Sequence, residues 1–289
     1  MRSATRTVFF LSFAAFFFGN FLSNPALQAA AAESSPTVEV RCTPRQDGDE
    51  WAVARTANFC IYHNQSREVA EKAARIVETV RAAAAKKWFG EPLPTWDEPC
   101  SIYLYASAAD YSLATGQPPQ MAGHSTFDLR DGRVVGRRID LHCDDPNALV
   151  GVLPHEATHV VLAGRFGDRR LPHWADEGMA VLSEPRDHVD LHLRNLPRHR
   201  RNDELFPVEQ LMEMDGYPDG RYIGAFYAES VSLVKFLSDE KGPKVFARFL
   251  REGMDDGYEA ALKKEYDING FDDLQQCWQR YAFDHRNGG

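Results

Sequence analysis

Five residues near the middle of the chain, His155-Glu156-Ala157-Thr158-His159, set two imidazoles four positions apart with a carboxylate beside the first. On a helix, residues four apart share a face, so both imidazoles project toward one point and a single metal ion can take both. The helical repeat turns Glu156 about 100° away from His155. That sets its carboxylate beside such an ion, where it can take a proton from a metal-polarised water. Val150, Leu153, Val160 and Val161 flank the motif and predict a buried helix around a dry site, in which a metal acts more strongly on its water.

A catalytic zinc takes three protein ligands and keeps one position open. The third is expected from Leu171-Pro172-His173-Trp174-Ala175-Asp176-Glu177-Gly178-Met179-Ala180, a second helix that follows a loop containing Gly164 and Gly167. Glu177 is the carboxylate assigned, with Asp176 its nearest competitor; Glu184, two turns later, reads as a supporting or surface acid. Among the other histidines only His188 and His192 fall four apart, and a solvated segment is the plainer reading there. No CxxC occurs, which excludes a cysteine-based zinc site, and neither GxGxxG nor GxSxG is present to suggest a nucleotide or a serine nucleophile.

The elements that must position these residues are strands first and helices after. Phe59 to His63 reads as a strand, Ser101 to Tyr105 is β-branched and aromatic, and Arg133 to His142 is a further extended segment with Val135, Ile139 and Leu141 on one face. Between the first two, Val69, Ala73, Ile76, Val80 and Ala84 mark an amphipathic helix over 66–88. Asp145-Pro146 opens a helix toward His155, and Pro154 should kink or restart it. Helices are predicted over 174–182, 207–214, 222–237, 243–251 and 271–283, with Phe246, Phe249 and Leu250 in the core. The fold class is therefore α+β. One catalytic domain spans 51–289, with a sheet-containing lobe to about residue 165 and a mainly helical lobe after it. The polar stretch 33–50 reads as an exposed lead-in.

Arg2 and Arg6 precede an apolar run from Val8 to Leu22, then Pro25 and the Ala-rich stretch Leu27 to Ala32. This is the layout of a signal peptide over residues 1–32, cleaved near Ala30 to Ala32, and the run is short of the roughly 20 residues of a stable membrane span. The expectation is a protein that is secreted, periplasmic or in the cell envelope. With a net charge of −9 there is no general electrostatic reason to bind nucleic acid; the basic run Arg194 to Arg201 reads as a solvated loop. Five cysteines, Cys42, Cys60, Cys100, Cys143 and Cys277, in an oxidising compartment lead to an expectation of two disulfides and one free thiol, with Cys42–Cys60 and Cys100–Cys143 as the pairs considered.

Leu153-Pro154 ahead of HExxH, together with Trp174, Glu177, Gly178 and Ala180 in a W-x-x-E-G-x-A context, resembles the gluzincin metallopeptidases of the peptidase MA-like families. The likeness is specific over residues 150–184 and weaker to about 240, through Tyr227-Ala228-Glu229-Ser230. It implies a zincin-like fold, with a small mixed sheet, an active-site helix and a mainly helical C-terminal lobe. It further implies Zn2+ on His155, His159 and Glu177, Glu156 as general base, a peptide or protein substrate, and an edge strand that pairs with the peptide, for which Arg133 to His142 is the choice. A downstream Tyr or His stabilises the oxyanion in such enzymes; Tyr227 is preferred, with Tyr222 and His192 behind it. Where thermolysin-like members carry an Asp four residues past the ligand glutamate, this chain has Val181, so another group must orient the histidines. The function expected is a secreted zinc-dependent hydrolase cleaving peptide bonds. The alternatives are a non-enzymatic zinc-binding or pseudo-peptidase module at the cell surface, and a hydrolase of non-protein amide bonds using the same residues.

Overall fold

The β-branched and aromatic segments line up in one mixed sheet. The computed structural model describes residues 6–10, 38–46, 50–167 and 171–284. Its strands are β1 (Arg6–Phe10), β2 (Arg41–Thr43), β3 (Ala52–Arg55), β4 (Phe59–His63), β5 (Cys100–Tyr105), β6 (Gly123–Arg130) and β7 (Arg133–His142), in spatial order β1-β6-β7-β5-β4-β3-β2. The pairs β4–β5 and β5–β7 are parallel and the others antiparallel. Parallel neighbours require a crossover, and helix α1 (Arg67–Ala84) supplies it between β4 and β5. A second helix, α2 (Ala108–Thr115), starts at Ser107, whose hydroxyl accepts the Asp110 N–H at 3.1 Å. The β6–β7 hairpin closes on Asp131 and Gly132, both at positive φ (51° and 74°), the two-residue geometry that matches strand twist.

The chain forms two compact units, Met1–Ala83 with Leu93–Val160, and Ala84–Pro92 with Val161–Gly289. In the first, period-two alternation sends Phe59, Ile61, Ile102, Leu104, Ile139 and Leu141 to one sheet face. That face packs on Ala70, Ala73, Ala74 and Val77 of α1 and on Leu153, Ala157 and Val160 at the start of helix α3 (Leu153–Phe166). The second unit is helical, with α4 (His173–Val181), α5 (Arg186–Arg201), α6 (Val208–Glu213), α7 (Ile223–Lys241), α8 (Pro243–Asp256), α9 (Tyr258–Tyr266) and α10 (Phe271–Gln279). Phe246, Phe249 and Leu250 are fully buried there, as expected, and Trp88 and Trp174 both approach the Phe246 ring. A mixed sheet with a mainly helical remainder is an α+β architecture.

Four expectations change. Arg133 to His142 is a strand, but β6 and β5 flank it on either side, so its backbone donors and acceptors are used by the sheet and it is not a peptide-pairing edge. The position beyond β6 is taken by β1. The basic run is the end of helix α5, which buries only Val189, Leu196 and His199 and contains Pro197; so thin an apolar stripe leaves little helical signal. All five cysteines carry free thiols. Cys42 is level with Ala54 and Ala54 with Ile61, so Cys42 shares a sheet face with Ile61 while Cys60 points to the other, two strands or ~10 Å away. Cys100 opens β5 and Cys143 follows β7, and because Tyr105 is level with His142 these two lie at opposite ends of a parallel pair, ~17 Å apart. A disulfide needs Cα atoms within about 4.4–6.8 Å.

The run Val8 to Leu22 and the cleavage region Ala30 to Ala32 lie outside the described residues apart from the strand at 6–10. No helix among the described residues is long and apolar enough to cross a membrane.

Two measurements check this arrangement. Thiol titration of the denatured, unreduced protein should count five free thiols, whereas a count of one would restore the two-disulfide expectation. Amide hydrogen exchange in β6 should be faster in a chain lacking residues 1–32 than in the full chain; equal rates would mean that residues 6–10 do not pair with this strand.

Candidate metal centre

Helix α3 is built to show one face to the core and another to chemistry. An irregular π-helical turn at Ala148–Val152 precedes it, and the regular helix restarts at Leu153 with Pro154 in its first turn, where a missing N–H costs nothing. Thr158 Oγ1 donates to the Pro154 carbonyl at 2.8 Å. With Leu153, Ala157 and Val160 anchored in the sheet core, the helical repeat turns His155 and His159 together. Their ring centroids lie 4.8 Å apart, and both rings are buried, as is Glu156.

Helix α4 is buried along its whole length. It lies against α7 through Gly178: a Cβ there would stand 2.6 Å from the Ser230 carbonyl oxygen and 2.5 Å from a Val234 methyl. Only glycine allows that approach. The adjacent Glu177 is 1% exposed, and its Oε1 accepts the Tyr217 hydroxyl. Val181, also buried, puts an alkyl side chain one helical turn beyond Glu177.

One ligand atom from each of His155, His159 and Glu177 lies within 4.8 Å of the other two, and all three residues are buried. Ligand atoms at zinc distances around a tetrahedral ion stand about 3.4 Å apart, so small side-chain rotations would close the set on an ion. Two imidazoles and a carboxylate form a donor set that suits a divalent metal ion. Glu177, and not its neighbour Asp176, is the carboxylate that falls in this group. Asp176 is buried beside it and contributes to raising the Tyr217 pKa.

The other sequence candidates separate. Glu184 pairs with His188 Nδ1 at 3.0 Å. His192 stacks on Tyr227 with centroids 6.0 Å apart, so the two histidines four apart have different partners. Tyr227 is buried on α7 and contributes to raising the Tyr217 pKa. Tyr222 lies in a 3-10 turn, edge-on to Phe206. Glu229, two residues past Tyr227, accepts the Phe206 N–H with both oxygens, and burial holds its carboxyl well above the usual carboxylate range.

Sequence reasoning missed Tyr217. Its phenol is pushed well above the ordinary tyrosine range by burial first and by the Glu177 carboxylate next, so it retains its proton and donates. The available signal was an aromatic set among Gly216, Pro218 and Gly220, since functional side chains concentrate on loops held by rigid elements. A second buried polar group was also missed. Asp140 accepts Arg138 twice, at 2.6 and 2.7 Å, and Tyr105 at 2.9 Å. Near it, Tyr111 and His124 Nδ1 share a hydrogen bond of 2.8 Å, and burial, with Glu156 next, raises the Tyr111 pKa.

No family model matches the chain, and no curated protein matches it. Among solved structures, an M1 zinc metallopeptidase mutant from Deinococcus radiodurans, bound to a Tyr-Ser-Ala substrate, is similar at 13% identity with a TM-score of 0.34; the match covers 85% of this chain and 51% of that one. This chain thus spans about half the length of that protein. A likeness so low carries no argument, and the case rests on the residues themselves.

The tight contact at Gly178 is directly testable. Gly178→Ala should destabilise the protein by about 1–3 kcal/mol, the usual cost of overpacking, because α4 and α7 must separate. Denaturant unfolding checks this, and an unchanged midpoint would show that the helices do not meet so closely.

Proposed function

We propose that the protein is a zinc-dependent hydrolase of the gluzincin type that cleaves peptide bonds. The observation that carries the reading is the buried group His155, His159 and Glu177, with Glu156 adjacent in sequence on the same helix. Three side chains that are costly to bury singly have a common purpose if they share an ion.

In this reading His155, His159 and Glu177 hold the zinc. When bound, zinc polarises the scissile carbonyl and lowers the pKa of a water toward about 7. Glu156 takes the proton of the attacking water and passes it to the leaving amine. Its burial keeps bulk water from competing for that proton. Tyr227 is the donor to the developing oxyanion. The peptide adds as a strand to β6, giving main-chain hydrogen bonds without regard to sequence; β1 must first leave that edge, as it would on removal of residues 1–32. Export by the N-terminal signal and action in the cell envelope or outside the cell complete the proposal.

Zinc content and peptide-library cleavage, measured side by side on purified protein, test it. Wild type should hold one zinc per chain; His159→Ala and Glu177→Ala should lose it. Glu156→Gln should keep the metal while turnover falls by about 10²–10⁴-fold, the usual contribution of a general base. Folded wild type that takes up no zinc when it is supplied would sink the hydrolase reading. Zinc uptake without cleavage of any peptide in the library would favour the zinc-binding module instead.

A further inference from the structure

The ligand glutamate carries a contact that the metal reading does not itself require. The Tyr217 hydroxyl donates to Glu177 Oε1. The tyrosine comes from the loop between α6 and the 3-10 turn at Gly220–Tyr222, far from Glu177 in sequence. We infer that Tyr217 is a positioning residue for the metal centre, its phenol fixing the rotation of the Glu177 carboxylate so that a metal meets this ligand already oriented and bound through one oxygen. The inference rests on the zinc-hydrolase reading above.

Glutamate needs such help for a simple reason. The torsion that turns its carboxylate is a soft, two-fold one, so an unsupported carboxylate swings and can offer a metal either one oxygen or both. A hydrogen bond into Oε1 engages that oxygen and opposes two-oxygen coordination. Groups that orient metal ligands in this way are worth an appreciable share of metal affinity. Val181, at the position four beyond Glu177, is an alkyl side chain and can give no hydrogen bond.

The phenol is itself held on several sides. Its ring lies 4.6 Å from the His173 ring and edge-on to Phe226 at 5.7 Å. His173 is exactly four residues before Glu177 on α4, one helical turn away, so the helix that carries the ligand also carries a ring that clamps its positioner. Contacts at ring, hydroxyl and helix close a triangle of His173, Tyr217 and Glu177. The backbone adds to this. Gly216 takes φ +114° with nothing within 4 Å of a would-be Cβ, so glycine is needed there for conformation and not for space. Pro218 restricts Tyr217 to extended backbone.

The test measures zinc affinity by competition with a chromogenic chelator, and the visible spectrum of the cobalt(II)-substituted protein, which weakens as coordination rises above four. The proteins are wild type, Tyr217→Phe, Gly216→Ala and Glu177→Gln, each checked for wild-type circular dichroism. Tyr217→Phe keeps the ring packing and loses only the hydroxyl. It should bind zinc about 10–100-fold more weakly and show a weaker cobalt spectrum as the freed carboxylate engages through both oxygens. A simple packing role would leave that spectrum unchanged. Gly216→Ala, which strains the loop without touching any group at the site, should weaken zinc binding in the same direction and carries the test if Tyr217→Phe fails to fold. Wild-type affinity and spectrum in Tyr217→Phe, with Glu177→Gln losing the metal, would overturn the role of Tyr217 alone. No metal in any protein, wild type included, would overturn the metal reading and this inference with it.

Discussion

Burying a carboxylate between helices is the constraint from which the rest of this structure follows. Glu177 sits at 1% exposure on a helix with no solvated face. An ion or a strong donor must replace the water it has lost, because an uncompensated buried charge costs several kcal/mol or neutralises by taking up a proton. Two imidazoles and a phenol are the groups the fold brings to it. The imidazoles come from α3 and the phenol from the loop after α6, and both stretches are held by packing that has no chemistry of its own.

That division between scaffold and site is clearest in α3. Leu153, Ala157 and Val160 lock one side of the helix into the sheet, and the 3.6-residue repeat then dictates where His155, Glu156 and His159 face. In α4 the corresponding lock is Gly178, whose missing side chain lets the helix lie against Ser230 and Val234 of α7. Glu177 is the neighbour of that contact point, so the position of the carboxylate is set by the closest approach of two backbones. Rigid supports of this kind are what a metal site needs, since errors of half an ångström in a ligand are already costly.

The sheet places its own limit on function. Its parallel strands β4, β5 and β7 have neighbours on both edges, and the ends of the sheet are β1 and β2. A strand's capacity to accept a peptide depends on unused backbone donors and acceptors, so β7, the strand expected to pair with a peptide, is excluded by having neighbours on both sides. The occupant of the β6 edge is a piece of the same chain, which makes access to that edge a property of the N-terminal segment.

Much of the local structure was legible in the residues. The helical spacing of α1, the aromatic strands β4 and β5, the proline restart before His155 and the pairing of both histidines on one face all follow from periodicity and covalent geometry, which act over a few residues. The helix that carries Glu177 was legible too, through its place after the glycine-containing loop. The Asp131-Gly132 hairpin turn carried a clear local signal that the strand reading passed over. Other features had no local signal at all. Strand order decided that β7 is internal and that Cys100 and Cys143 stand at opposite ends of a parallel pair. The register across β2, β3 and β4 decided that Cys42 and Cys60 face opposite sides. The approach of Tyr217 to Glu177 joins residues 40 apart in sequence, and His192 meets Tyr227 in the same way. Composition and spacing determine which side chains can do chemistry and how neighbours on one element are aimed; which distant side chain completes a site is set by the packing of whole elements, a property no short stretch of sequence contains.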